Sequence, residues 1–453
     1  RRARGERKGV AEWRRMGCVG SKPASDSFSP HTPTHDSSPR ELLLLRLVSA
    51  HNVPSLDRFS QSDVYAVALL CENGKQVANA CWPVKPDTID PYWDSCRSLG
   101  LASKSAKLVI QFFDLDAAHP FDLTKKLTAS SPDFIGDVEL GVEELPANGE
   151  TVRIPLRTKH KSRISGPAYC VLGRAPPEAY TAPMTKTLFL VRHGESVWNE
   201  AQDDKDVLTM LSDVDHHLNL LGRKQAERLA AHLMSEFSID DGAKSGIAGV
   251  QAVMCSPLTR AVQTCMIGLR PLLVAGPAGS DHPQIQMVEL NPNLREKRNL
   301  MGKDSSGKYI GDRLAEAIRE SLRTLYSDDP IAAEGLKDIE LDLRLVRDRW
   351  WIGQKESDDA LVGRIEDLMA QIRYSPHTSI AFVGHSHFFR FLFQRYLAAT
   401  ADVLNSDGSP ADAKDFLSQK LSNGGAVRCQ LNFDGEAASI TSTQLLFDTS
   451  LVD

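Results

Sequence analysis

Three short stretches put groups able to handle a phosphoryl group at the ends of apolar runs. Arg192-His193-Gly194-Glu195 follows Thr187–Val191, Arg260 follows the run ending at Cys255, and Gly384-His385 follows Thr378–Val383. A guanidinium offers a planar fork matched to phosphate, and a neutral imidazole nitrogen is a nucleophile. A glycine lets backbone approach an anion closely. In an open α/β sheet ligands gather at the carboxyl ends of strands. Three strand ends bearing Arg-His, Arg and His therefore predict a phosphate-sized cationic pocket. Any one of them alone carries little, because a His after a strand often only caps it.

The longer segments RHGESVWN (192–199), DHHLNLLGRKQA (215–226), SPLTRAVQT (256–264) and VGHSH (383–387) resemble, in order and spacing, the histidine phosphatase (phosphoglycerate mutase-like) superfamily over about 186–453. The resemblance implies that His193 attacks phosphorus in line and forms a phosphohistidine. It further implies that Arg192, Arg260 and His385 stabilise the transferring oxygens, with hydrogen bonds added by Asn199 and Ser196. Glu296, in Asn293-Leu294-Arg295-Glu296, is the expected acid that protonates the leaving oxygen and then activates water; Glu289 is the fallback. No cofactor is expected for catalysis. The substrate is a phosphorylated compound of open class. His216 and His217 read as loop residues, His387 as a rim residue and Trp350-Trp351 as core. The basic stretch 295–313 reads equally well as a polyanion contact or a solvated loop.

A second constellation is acidic. Asp57 and Asp63 lie six apart, Asp114 and Asp116 end a strand, and Asp133 precedes Phe134-Ile135-Gly136. Hard oxygen donors from several loops suit calcium, whereas any one pair alone reads as turn-forming Asp. The segments LDRFSQSDVY (56–65), DPYWDS (90–95), FFDLD (112–116) and SPDFIGDVEL (131–140) resemble a C2 domain, the calcium-dependent phospholipid-binding sandwich, over about 41–173. That resemblance implies calcium on Asp57, Asp63, Asp114, Asp116 and Asp133, and an anionic phospholipid membrane as partner. The insert HPFDLTKKLTAS (119–130) lengthens the third loop, which makes Asp122 a substitute for Asp133. Its apolar residues and Lys125-Lys126 suit an anionic surface.

Met16-Gly17-Cys18-Val19-Gly20-Ser21 fits the N-myristoylation pattern, with Gly17 as acceptor if translation starts at Met16 and Cys18 open to palmitoylation. One acyl chain anchors only marginally, so a second signal is expected.

These groups need elements to hold them. Short apolar segments between turn signals over 41–173 predict an all-β sandwich. Residues 174–185 read as a Pro-rich linker, and strand–helix alternation over 186–453 predicts an α/β domain with a mostly parallel sheet. Residues 1–40 read as a disordered segment. The 453-residue chain carries a net charge of −6, which argues against a nucleic-acid partner, although its first 15 residues hold seven basic side chains. Eight scattered cysteines without a CxxC pair speak against zinc. With no apolar leader and no run of about 20 apolar residues, the expected place is cytoplasmic, at the cytoplasmic face of a membrane as a peripheral protein. The combined reading is a multidomain, membrane-recruited phosphatase. A phosphoglycerate-mutase-type phosphotransferase and an inactive phosphate- and membrane-binding scaffold stay open as alternatives.

Overall fold

The computed structural model describes residues 40–57, 60–115, 133–237, 246–274, 285–298, 303–353, 355–435 and 437–452. The chain divides into two compact units: one runs to Thr181 and includes Asp358–Tyr374, the other comprises Ala182–Ser357 and Ser375 onward.

The first unit is a two-sheet sandwich. Its eight strands are β1 (Arg40–His51), β2 (Val64–Glu72), β3 (Lys75–Lys85), β4 (Tyr92–Ser103), β5 (Lys107–Asp114), β6 (Asp133–Gly141), β7 (Val152–Pro155) and β8 (Tyr169–Arg174). One sheet has the order β4-β1-β8-β7 and the other β3-β2-β5-β6. Inward and outward side chains alternate along β4 and β5, the pattern of a strand with one face on a core. Trp82, Trp93, Phe112 and Ile110 fill that core with Leu45 and Leu47. The helix Asp358–Tyr374 joins this unit far along the chain. Asp367, fully buried, accepts hydrogen bonds from Arg97 Nη2 at 2.5 Å and Ser95 Oγ at 3.0 Å. Tyr374 packs with Leu44, Ala175 and Ala179. Sequence division alone leaves this helix with the α/β segment that surrounds it.

The second unit is built on an eight-stranded sheet. It adds β9 (Thr185–Arg192), β10 (Ala252–Cys255), β11 (Met287–Leu290), β12 (Glu340–Asp342), β13 (Ser379–Gly384) and β14 (Leu397–Leu404). The small strands β15 (Lys420–Leu421) and β18 (Leu451–Val452) pair with each other, while β16 (Ala426–Asp434) and β17 (Ala437–Leu446) complete the large sheet. The order is β12-β11-β10-β13-β9-β16-β17-β14. Five of its seven neighbour pairs are parallel, and β16 runs antiparallel to both β9 and β17. The mostly parallel sheet predicted from strand–helix alternation is therefore present, with one reversed strand. Central β9 and β13 are buried nearly throughout, as expected of strands covered on both faces. The helix Thr259–Gly268 is likewise buried from Arg260 onward.

Candidate active site

Strand register brings the motifs together. β13 lies between β9 and β10, with Gly384 opposite Arg192 and Val383 opposite Cys255, so the three strands end level. The backbone then ties the ends to one another: His193 N donates to Gly384 O at 3.0 Å, and Ser256 N donates to Val383 O at 2.9 Å. The turn after β9 sits tightly on the helix Leu220–Phe237. A Cβ on Gly194 would lie 2.5 Å from Gly222 O, and one on Gly222 would lie 2.0 Å from Glu195 O. No other residue fits either position without moving the backbone.

His193 is buried, with Nδ1 2.7 Å from Gly194 O. A carbonyl only accepts, so Nδ1 carries the proton and Nε2 of the neutral ring keeps its lone pair. Arg260 Nε donates toward that lone pair at 3.3 Å. Burial first, then the charges of Arg260 and Arg192, hold the His193 pKa well below the usual imidazole value. Arg192 is pushed down to about 10 by burial, with Glu296 opposing and Arg260 adding to the shift, so it stays charged at neutral pH. Its Nη1 donates to Leu421 O at 2.5 Å, while its Nε is buried without a hydrogen-bond partner among the described residues. His385 is fully buried; its Nε2 lies 2.8 Å from Ser256 Oγ, and its ring centroid is 4.9 Å from that of His193.

Glu296 follows the turn Pro292–Leu294 and is 8% exposed. Its Oε2 accepts from His387 N at 3.4 Å, beside the β13 end, and its Oε1 from Lys297 N at 2.8 Å. Glu289, on β11, instead accepts from Asn291 Nδ2 at 2.7 Å. Ser196 and Asn199 bind each other: Asn199 N donates to Ser196 Oγ at 3.2 Å and Ser196 N to Asn199 Oδ1 at 3.2 Å, a reciprocal cap on the helix Val197–Asp203.

Sequence reading missed several members of this neighbourhood. Ser256 and Thr264 stood inside the SPLTRAVQT segment but had no assigned part. Thr264 Oγ1 accepts from Gly194 N at 2.9 Å and donates to Arg260 O at 2.8 Å, linking the turn after β9 to the helix Thr259–Gly268. Asp215, held at φ +57°, accepts from Thr259 N and Oγ1 at the start of that helix. Its carboxyl is pushed up to about 6, mainly by burial. His216 lies in a loop, as the sequence predicts, but is buried there, only 5% exposed. Asn423, which belongs to no motif, donates to His193 O at 3.4 Å.

In the sandwich, register sets Asp114 of β5 opposite Asp133 at the start of β6 and opposite Val64, next to Asp63. Asp63 is pushed up to about 6 by burial, with Asp114, Asp57 and the overlooked Asp87 adding like charge. Asp114 spends Oδ2 on Ser62 Oγ at 2.6 Å and Oδ1 on Asp63 N at 2.8 Å, which shapes the loop. Among the described residues no three acidic, His or Cys groups form a cage able to hold a metal ion. The donors at this end are nevertheless carboxylate oxygens that repel one another, the chemistry a hard cation relieves. Asp116, Asp122 and the rest of the 119–130 insert lie outside the described residues, as do Gly17 and Cys18.

Residues 188–275 match the histidine phosphatase superfamily (branch 1), and residues 41–156 match the C2 domain. The chain thus carries a C2 domain followed by a histidine phosphatase superfamily domain, in the predicted order. Among solved structures it is similar to a C2 domain of plant Extended Synaptotagmin 1, at 15% identity over 30% of this chain and 94% of that one, with a TM-score of 0.24. It is also similar to human GIVD cytosolic phospholipase A2, at 17% identity over 31% of this chain and 17% of that one, with a TM-score of 0.23. No curated protein matches the chain. No helix among the described residues is long and apolar enough to cross a membrane.

Proposed function

We propose that the protein is a phosphatase that cleaves a phosphomonoester through a phosphohistidine on His193. The observation that carries this reading is the state of His193: a neutral ring with Nδ1 tied to Gly194 O and Nε2 facing Arg260. In the first step Nε2 forms a bond to phosphorus as the bond to the leaving oxygen breaks. Arg192, through its unpartnered Nε, Arg260 and His385 bind the three peripheral oxygens. Glu296 gives a proton to the departing oxygen. In the second step the Glu296 carboxylate takes a proton from water, the oxygen bonds phosphorus, and the P–N electrons return to Nε2. Asn199 and Ser196, which cap the start of the helix Val197–Asp203, would add hydrogen bonds to the phosphoryl group. The substrate class is open.

The sandwich recruits the enzyme to anionic phospholipid at a cytoplasmic membrane face. Asp57, Asp63, Asp114, Asp116 and Asp133 would hold calcium, which supplies the positive charge that bridges loops and lipid. Acylation at Gly17 and Cys18 adds the second anchor that stable attachment requires.

The test uses the full chain. Hydrolysis of p-nitrophenyl phosphate, with acid-labile phosphate trapped on His193, supports the reading, and undiminished turnover by His193→Ala defeats it. Isomerisation of 3-phosphoglycerate exceeding hydrolysis would favour a mutase instead, and neither activity would leave a scaffold. Sedimentation with phosphatidylserine vesicles, with and without calcium, tests the membrane arm.

A further inference from the structure

The contacts of Arg260 go beyond the nucleophile. Among the described residues, Asp304 alone holds the far end of its guanidinium: Nη1 donates to the Asp304 carbonyl at 2.7 Å and Nη2 to Asp304 Oδ2 at 3.2 Å. Its Nε faces His193 Nε2 at 3.3 Å. We propose that Asp304 is a positioning residue that fixes the end of the Arg260 fork and so turns the Nε edge toward the phosphoryl group on His193. The inference rests on the phosphatase reading for the part played by Arg260. A guanidinium presents five N–H donors in one plane, and pairing two of them at one end sets the direction of the rest.

Asp304 itself is held firmly. It lies on the turn Lys303–Ser305, whose Ser305 is buried. Lys303 Nζ donates to Leu211 O at 3.4 Å, and Lys308 Nζ pairs with Asp213 at 2.9 Å. Between them, Gly307 presses on two indoles: a Cβ there would lie 2.4 Å from Trp350 and 2.5 Å from Trp351. The turn is therefore docked from both sides, and the carboxylate it delivers neutralises an arginine side chain only 2% exposed. A buried arginine stripped of its counter-charge would reorient or draw in water. A displacement of about 1 Å at a reacting group costs about 100-fold in rate.

The test compares Asp304→Ala and Asp304→Asn with the parent chain, using p-nitrophenyl phosphate for turnover and orthovanadate for binding. Asp304→Ala is expected to lose about 100-fold in kcat with KM changed less than about threefold, and to bind vanadate about tenfold more weakly. Added formate, which can refill the carboxylate position, should restore part of the rate, and Asp304→Asn should fall between. Parental kcat and vanadate affinity in Asp304→Ala would overturn the proposal. A rise in either would overturn it too, because it would show the carboxylate competing with phosphate for Arg260. If Asp304→Ala does not fold, Asp304→Asn, with the same volume, carries both readouts. If the parent turns over no phosphoester, the phosphatase reading fails while the vanadate comparison still decides the part played by Asp304.

Discussion

Arg260 directs its Nε–H at Nε2 of His193 from 3.3 Å, while Gly194 O holds the opposite ring nitrogen at 2.7 Å. One nitrogen is thereby committed to a proton and the other to a lone pair. Nearby positive charge further resists protonation of the ring, so the proposed attack on phosphorus needs no separate base to activate it.

The first prediction concerns acid. Free imidazole titrates near 6.5, and burial with Arg260 and Arg192 holds His193 well below that. Under the proposed mechanism neutral His193 is the reactive form, so lowering pH through 6.5 leaves it competent. Initial rates of aryl phosphate hydrolysis should show the acid limb of kcat/KM below pH 6.5. A limb centred at or above 6.5 would contradict the geometry.

The second concerns two hydroxyls. Ser256 faces His385 Nε2, and Thr264 joins Gly194 N to Arg260 O. Ser256→Ala and Thr264→Val should each lower kcat about tenfold while removing about 1 kcal/mol of stability. Thr264→Val keeps the shape but leaves the Gly194 N–H unpaired, so it should cost more than Thr264→Ser. Steady-state kinetics beside urea unfolding separates the two effects.

The third concerns the sandwich. Asp367 is fully buried against Arg97, which also lies over the Trp82 ring at 5.5 Å. Asp367→Ala leaves that arginine buried without its partner and should cost about 3–5 kcal/mol. Replacing both residues with apolar side chains of similar size should recover most of the loss. Denaturant unfolding followed by tryptophan fluorescence measures both.

The fourth concerns Asp63. Its folded pKa is raised to about 6 from an ordinary 3.8, so the ionised form is disfavoured by folding. A raised carboxyl costs stability above the folded pKa, and that cost fades as pH falls through about 6. Asp63→Asn should therefore unfold at a higher temperature than the parent at pH 7, with the difference shrinking at pH 5. Calcium should raise the parent's unfolding temperature at pH 7 and leave that of Asp63→Asn nearly unchanged.

The fold and the centre of the site were legible where signals were local. β9 and β13 are apolar runs closed by Arg-His and Gly-His, and a helical apolar stripe marks Leu220–Phe237. The parts that stayed hidden depend on distant pairing. Asn423 reaches His193 from 230 positions away with no motif around it. Asp304 sits in a basic, Ser/Gly-containing stretch whose composition equally describes a solvated loop. The helix Asp358–Tyr374 is amphipathic like many others, and only the contacts of Asp367 with Ser95 and Arg97 reveal where it belongs. His216 carried no burial signal, since it stands in a loop between Asp215 and His217 with no period to mark an inward face.

That helix also sets an order of events during synthesis. Strands β1 to β8 emerge from the ribosome early, yet the carboxylate that neutralises Arg97 follows 270 residues later. Domains emerging first usually complete themselves first. Here the β-rich half must wait, with an uncompensated guanidinium, until most of its α/β neighbour has been translated. A nascent chain stalled before Asp358 would hold an unfinished first half, and its maturation would mark translation past Tyr374, with β13 to β18 of the second unit still to come.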